Sequence, residues 1–494
     1  MTERDTESRH DGETDRVREM VQNYEALATT DTRATALACL AAGIDAARPE
    51  RAIRTALSVE GANLRVSGLV AGAGAAGRDD DSAVTLDLAA YDHLLVVGGG
   101  KAAAGLVRGL DAVLTGADHE IDGGTVLVPP SAAGAVGSVS LRAGGHPTPT
   151  AAGVAGTREA LATLDAADDR TLVFAPITGG GSALLAAPRE GLSLTAVKSV
   201  TEQLLAAGAP IADVNTVRTQ LSAVKGGRLA ARAAPATVLG LVVSDVVGDD
   251  PAVIASGPTV PTDTTPADAL AVLDRHAVDA PAVRRFLSER SESDADTHTD
   301  TGDGAASSHD ASPGESVPTT TATVVIADAG RALAGAREAA RRRGYDARVL
   351  GRRVTGEARV AGRRAGALAA TVADRASAPV VLLAGGETTV TVTGDGTGGP
   401  NCEYALAAAA ELARRDTDDR FADRVAVAAV DTDGRDGSTD AAGAVVDATT
   451  VDTGIAERAL ARNDSLPVLE RTNAAIATGP TGTNVNDLRV IVVE

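Results

Sequence analysis

Lys101 closes the run Gly98-Gly99-Gly100 at the end of an apolar segment, and Lys225 opens Lys225-Gly226-Gly227-Arg228. The chain has 494 residues and 46 Lys+Arg, yet its only other lysine is Lys198. A compact ammonium beside bare backbone can meet a phosphate where the planar fork of arginine needs more room. The segment LLVVGGGKAAAGLVRGL (94–110) reads as a strand, a glycine turn and a helix from about Lys101. The start of a helix offers unpaired N–H groups and a positive dipole end, so Gly98, Gly99, Gly100 and Lys101 form a candidate anion site. Gly98, Gly100 and Ala103 also satisfy G-x-G-x-x-G/A, the dinucleotide fingerprint. The next candidate strand, however, runs into Pro129-Pro130 with no acid for a ribose hydroxyl, and no Walker loop occurs. A tight turn with no ligand is the plain alternative.

A second strand, glycine turn and helix is read in TLVFAPITGGGSALL (171–185). Gly179, Gly180 and Gly181 let a phosphate approach, and Ser182 either bonds it or caps the helix. In VNTVRTQLSAVKGGRLA (214–230), Arg218, Lys225 and Arg228 are spaced by seven and three, which places them near one helical face if the helix reaches that far. A solvated face ending in a glycine cap at Gly226 is the alternative. The segment VVSDVVGDDPAVIASGPT (242–259) delivers Ser244 and Asp245 at the end of an apolar strand. A carboxylate there can hold Mg²⁺ or accept a proton from a substrate hydroxyl, whereas Asp249 and Asp250 read as turn formers. Toward the C-terminus Glu387, Asp431, Asp433, Asp436, Asp440 and Asp487 form an acidic set. The spacing Asp431-x-Asp433-x-x-Asp436 hints at a cation but lacks an EF-hand loop. His146, in GGHPTPT, is either a substrate contact or a turn residue.

These motifs need elements to hold them. Strands are expected at His93–Val97, Thr125–Val128, Thr171–Ala175, Val238–Val243, Thr323–Ala327, Val380–Leu383, Thr388–Thr393, Val425–Val430 and Val490–Val493. Helices are expected at Ala102–Leu114, Ala152–Ala166, Ala329–Arg343 and Cys402–Ala413. Such alternation predicts α/β architecture with parallel sheets, whose ligands bind beyond the carboxyl ends of the strands. Val380–Leu383 and Thr388–Thr393, joined by Ala-Gly-Gly-Glu-Thr, read as a hairpin. The charged, small-residue stretches 1–20 and 288–321 read as a disordered tail and linker. They divide the chain into a region at 21–287 and a region at 322–494.

The formal net charge is −21, with no Trp, three Phe and four Tyr. Such a surface repels phosphate backbones and has few rings on which bases could stack, which excludes a nucleic-acid partner. No run of about 18 apolar residues predicts a membrane span, and the polar first residues lack the core of a secretory signal. The two cysteines, Cys39 and Cys402, read as reduced thiols of a cytoplasmic protein. Acidic excess with lysine depletion is the expected signature of a halophilic, salt-adapted surface; drift in a GC-rich genome gives the same exchange of lysine for arginine.

Taken together, VVGGGKAAAG, GHPTPTAAG, ITGGGSALL, VNTVRTQLSAVKGGRLA, VSDVVGDDPAVIASGPT, AGGETTVTV, TDGRDGSTDAAGAVVD and GPTGTNVNDLRV resemble, in order, the motifs of the glycerate 2-kinase family. The resemblance implies a Rossmann-like N-terminal domain and a smaller α/β C-terminal region, with the MOFRL domain at about 380–488 and the active site in the cleft between them. It implies phosphorylation of D-glycerate at its 2-hydroxyl, with ATP and Mg²⁺ as cofactors, and is compatible with a homodimer. Lys101 matches the family's functional lysine. Lys225 and Arg218 are expected to neutralise charge, and Asp245 and Asp433 to serve the metal. The family's G-G-R-N-Q is here Gly398-Gly399-Pro400-Asn401-Cys402, so its arginine is replaced by Pro400 and another cation among Arg218, Lys225, Arg228 and Arg435 must act in its place. Some relatives carry the label hydroxypyruvate reductase, so an NAD(P)H-dependent reductase and a non-catalytic binder of sugar acids or nucleotides remain the alternatives.

Overall fold

The computed structural model describes residues 14–71, 83–297, 320–416 and 418–494, which form two compact units. One unit comprises residues 52–244 and 249–326. Its eight-stranded sheet has at its centre five strands that run parallel to one another, in the order Thr237–Val243, Thr171–Thr178, His93–Gly99, Gly123–Val128, Val139–Ala143. Thr171–Thr178 is buried at every position, as a central strand of a sheet covered on both faces must be. The strands run to the first glycines of the motifs, and the helices Ala103–Thr115 and Ala151–Leu164 follow where they are expected. A separate helical layer packs Val200, Leu204, Val214, Val217, Leu273 and Leu287 together.

The second unit comprises residues 14–51, 245–248 and 327–494. Its six-stranded sheet runs Asp346–Val354, Val380–Gly386, Asp487–Val493, Val425–Asp431, Gly443–Val446, Ala475–Ile476. Only the first pair is parallel. Alternate residues of Val425–Asp431 feed two cores: Val425, Val427 and Ala429 face one, Ala426, Ala428 and Val430 the other. This is the period-2 geometry of a strand with both faces covered.

Chain order and packing part company at several points. Helix Asp31–Ala46 and the segment before it pack into the second unit with Leu333, Val381, Leu488 and Val490. Residues 14–20 of the expected disordered tail are helical, with Val17 and Met20 buried in that core. Strand Thr321–Ala327, placed by the sequence at the start of the C-terminal region, instead lies beside Thr237–Val243 and pairs antiparallel with Leu69–Ala71. The expected linker begins late, because helix Pro281–Thr297 runs through its first residues, anchored by Val283 and Leu287; residues 298–319 lie outside the described residues.

The expected hairpin does not form. Val380–Gly386 pairs instead with Asp487–Val493 and Asp346–Val354, and Thr388–Thr393 makes only an isolated bridge at Thr389. Side chains supply what a ladder would. The amides of Thr393 and Gly394 donate to Asn463 Oδ1 at 2.8 and 3.0 Å, that of Thr391 donates to Glu357 Oε1 at 3.1 Å, and that of Thr388 donates to Asp487 Oδ2 at 3.2 Å.

The N-terminal helix is pinned by a buried ion pair. Arg33 Nε donates to Asp447 Oδ2 at 2.5 Å, and Arg33 Nη2 donates to Thr450 Oγ1 at 2.8 Å. Removing one partner of a buried pair leaves an uncompensated charge and typically costs about 3–5 kcal/mol. Arg33→Ala is therefore expected to lower the free energy of unfolding by an amount near the low end of that range, read as a fall in the urea midpoint, because Thr449 and Thr450 still donate to Asp447. An unchanged midpoint would count against this pinning.

Among the described residues no helix is long and apolar enough to cross a membrane. Cys39 and Cys402 are both buried, and neither is in a disulfide. Burial pushes the Cys402 thiol well up, so it is not poised to react.

Candidate active site

The two glycine turns are bonded to each other at the carboxyl ends of adjacent parallel strands. Lys101 N–H donates to the Gly179 carbonyl at 2.8 Å, and Ala102 N–H donates to Thr178 Oγ1 at 3.1 Å. Gly100 has φ +149°, and a Cβ there would lie 2.1 Å from Thr178 Oγ1, so only glycine permits this approach. The amides of Gly100, Lys101, Ala102 and Ala103 are all spent on partners within the fold. Of the expected anion cradle at Gly98–Gly100, the amide of Gly100 is thus already bonded, to the Leu127 carbonyl at 3.0 Å.

The second turn differs. Gly179, Gly180, Gly181 and Ser182 have backbone N–H groups that donate to no acceptor among the described residues. Gly180 is left-handed at φ +77°, which turns successive amides into the concave arrangement that holds anions. The helix that follows is a single turn, Gly181–Leu184, so the loop amides rather than a helix dipole supply the attraction. A Cβ at Gly180 would lie 2.9 Å from Lys101 Cγ and 3.0 Å from His146 Cδ2. Lys101, His146 and the free amides thus share one place, with Lys101 and His146 exposed.

Next to them lie two cations. Lys225 Nζ donates to the Ser182 carbonyl at 2.8 Å, and Arg218 Nη2 donates to the same oxygen at 3.4 Å. Helix Ile211–Gln220 ends before Lys225, so the loop after it, not a helical face, brings the two together. Lys225 is 4% exposed. Burial, and then the charge of Arg218, pushes the Lys225 ammonium well below the ordinary lysine range, and burial also lowers Arg218. Arg228 does not join them. Its Nη1 donates to the carbonyls of Thr219 and Lys225 at 2.9 and 3.1 Å, closing the end of the preceding helix. Two serines that the motif reading passed over hold this arrangement: Ser256 is 3.1 Å from Ser182 Oγ, and Ser222 Oγ accepts from Lys225 N–H at 3.3 Å. Ser256, at φ +63°, is one of the few non-glycine residues in left-handed backbone, and only the phrase Ala-Ser-Gly-Pro marked it in the sequence.

Asp245 and Asp433 belong to the other unit. There Glu387 is raised by burial and by the charges of Asp487 and Asp245. Asp431 is raised well above its usual range by burial and then by the charge of Asp433. Asp436 and Asp487 have structural work. Asp436 accepts from the amides of Asn401 and Cys402 at 2.8 and 2.7 Å, capping helix Pro400–Arg415. Asp487 accepts from Asn401 Nδ2 at 2.7 Å and from Arg489. Pro400 occupies the first helical position, where its fixed φ fits and its missing N–H costs nothing. Arg435 pairs with exposed Asp440 at 2.8 Å, and Asp250 Oδ1 accepts from Ala252 N–H, the turn role expected of it.

No group of three or more His, Cys, Asp or Glu stands ready to enclose a metal ion among the described residues. Mg²⁺ does not require one, since it is commonly held by one or two carboxylates together with phosphate oxygens and water. Burial, and then neighbouring carboxylates, raise Glu387 and Asp431, and an all-oxygen donor set of this kind suits a hard cation.

The model of the "Domain of unknown function (DUF4147)" matches residues 35–288, and that of the MOFRL family matches residues 380–487. The chain is 33% identical over 474 residues to the glycerate 2-kinase of Pyrococcus horikoshii, covering 94% of this chain and 98% of that one. It is 36% identical over 419 residues to a putative hydroxypyruvate reductase of Agrobacterium vitis, covering 81% and 87%. The crystal structure of the glycerate kinase of Thermotoga maritima superposes with a TM-score of 0.74 at 31% identity, covering 92% of this chain and 98% of that chain. With both regions matched and the likeness running almost end to end, the chain belongs to the glycerate kinase family.

Proposed function

We propose that this chain is a glycerate 2-kinase, transferring the terminal phosphoryl group of ATP to the 2-hydroxyl of D-glycerate. One observation carries the reading beyond the family likeness. In a chain of net charge −21, four free amides, the buried Lys225, the half-buried Arg218 and Lys101 gather around one loop. Phosphoryl transfer asks chiefly for positioning and charge neutralisation, and this loop offers both. The amides of Gly179–Ser182 cradle phosphate oxygens. Lys101 meets the transferred phosphoryl group or the glycerate carboxylate. Lys225 and Arg218 neutralise the charge that develops. In the other unit, Asp245 and Asp433 are the candidate ligands of a metal ion. Mg²⁺, when bound, would screen the phosphate oxygens from the incoming hydroxyl.

The reductase reading has little support in the site. Strand Gly123–Val128 ends at Pro129 without an acid for a ribose, and the free donors lie on the 179–182 loop rather than in the fingerprint turn. A paired assay separates the readings. ADP is expected to form from ATP only when D-glycerate is present, with no oxidation of NADH by hydroxypyruvate; the opposite pattern would overturn the proposal, and inactivity in both would favour a non-catalytic binder.

A further inference from the structure

Beside the 179–182 loop is a cavity of about 260 Å³. Its walls are largely apolar: Leu194, Val197 and Leu205 from helix Leu194–Ala206, Leu221, and the rings of Pro147 and Pro149. Ser182, Arg218 and Lys225 line the same space. Neither cation is paired with a carboxylate among the described residues; each donates to the carbonyl of Ser182. A buried ammonium beside a half-buried guanidinium, with no carboxylate partner, calls for an anion from outside, because unpaired buried charge is costly. The apolar walls call for something more than an anion. Leu205 is 57% exposed, an unusual place for a large aliphatic side chain that lines a cavity.

D-glycerate carries oxygen on every carbon and has no apolar face to set against Leu194, Val197 and Leu205. A nucleotide has both parts, a flat base and a string of phosphates. We infer that this cavity is the nucleotide seat: the base lies against the helix Leu194–Ala206 and the proline rings, and its phosphates reach Lys225, Arg218 and the free amides of Gly179–Ser182. The absence of tryptophan from the chain and the scarcity of other aromatic rings make aliphatic and proline surfaces the available platform for a base. From this seat the phosphate chain leads toward Lys101, whose stem lies beside Gly180. The inference rests on the kinase reading and adds the place of the donor to it.

The test is calorimetric titration of the full-length chain with ADP, alongside steady-state kinetics for both substrates. Val197→Trp fills the cavity and is expected to weaken ADP binding by about tenfold or more, while Leu205→Ala removes one wall contact and weakens it by roughly two- to fivefold. KM for ATP rises in step and KM for D-glycerate stays unchanged. Leu205 is largely exposed, so its variant keeps the test alive if Val197→Trp does not fold. Unaltered ADP affinity in the folded variants, or a rise in KM for D-glycerate in place of ATP, would overturn the assignment and leave the kinase reading standing. Failure of the wild-type chain to make ADP from ATP and D-glycerate would instead remove the reading itself.

Discussion

Lys101→Ala is expected to lower kcat about a thousandfold, the scale on which a cation at a transferring phosphoryl group acts. Folding should be untouched. Lys101 is exposed, and its backbone N–H keeps its bond to Gly179. Lys101→Arg should not restore activity. The stem of Lys101 runs so close to Gly180 that a single added Cβ there would lie 2.9 Å from its Cγ, with His146 as near on the other side. A planar guanidinium needs more width and approaches an oxyanion by a different path. Turnover of both variants at saturating ATP and D-glycerate, beside their melting temperatures, checks this. Near wild-type turnover in Lys101→Ala would remove Lys101 from the site.

Lys225→Met is expected to move stability and activity in opposite directions. Lys225 is 4% exposed, and its ammonium is bonded to a neutral carbonyl and repelled by Arg218. Replacing an unpaired buried charge with an apolar group of similar length should stabilise the protein by about 1–3 kcal/mol. Arg218 remains near the orphaned Ser182 carbonyl, so that group is not left bare. Activity should fall steeply, because the same ammonium is proposed to meet the phosphates. The pH dependence has a definite sign. The folded-state pKa of Lys225 lies below 10.5, its ordinary value. Between the two the unfolded chain binds the extra proton, so stability rises with pH through that window. A bound anion favours the protonated form, so affinity for ADP falls over the same window. Lys225→Met should lose both dependences. A variant that is destabilised at neutral pH, or that retains the affinity trend, would contradict the account.

What the sequence disclosed and what it withheld divides along physical lines. Strand ends and glycine turns were legible because an apolar β-branched run stopping at glycine is a local signal; Gly99, Thr178 and Val243 end their strands within a few residues of the expected places. The partnership of Lys225 with Arg218 was half legible. Their types stood out, but the contact is made by a loop after Gln220, and the departure of Arg228 to the carbonyls of Thr219 and Lys225 has no local signature. Helix Asp31–Ala46 was illegible as part of the second unit. It is buried on nearly every side, at Leu37, Ala38, Cys39, Leu40 and Ile44 among others, so no apolar stripe pointed to a partner hundreds of residues away. Thr388–Thr393 misled because alternation of threonine and valine satisfies the strand pattern. Asn463, Glu357 and Asp487, distant in sequence, bond its amides in place of a neighbouring strand. The acidic set was legible as a set, but burial and capping sort its members: Asp436 and Asp487 hold helix and strand together, while burial raises Glu387 and Asp431.

Phosphorus NMR of the purified chain incubated with ATP, Mg²⁺ and D-glycerate tests the central claim most directly. The account predicts that the γ-phosphate signal of ATP declines as the signals of ADP and 2-phosphoglycerate grow together, with no 3-phosphoglycerate at early times. Loss of ATP to free phosphate alone, an unchanged spectrum, or 3-phosphoglycerate as the first product would contradict it.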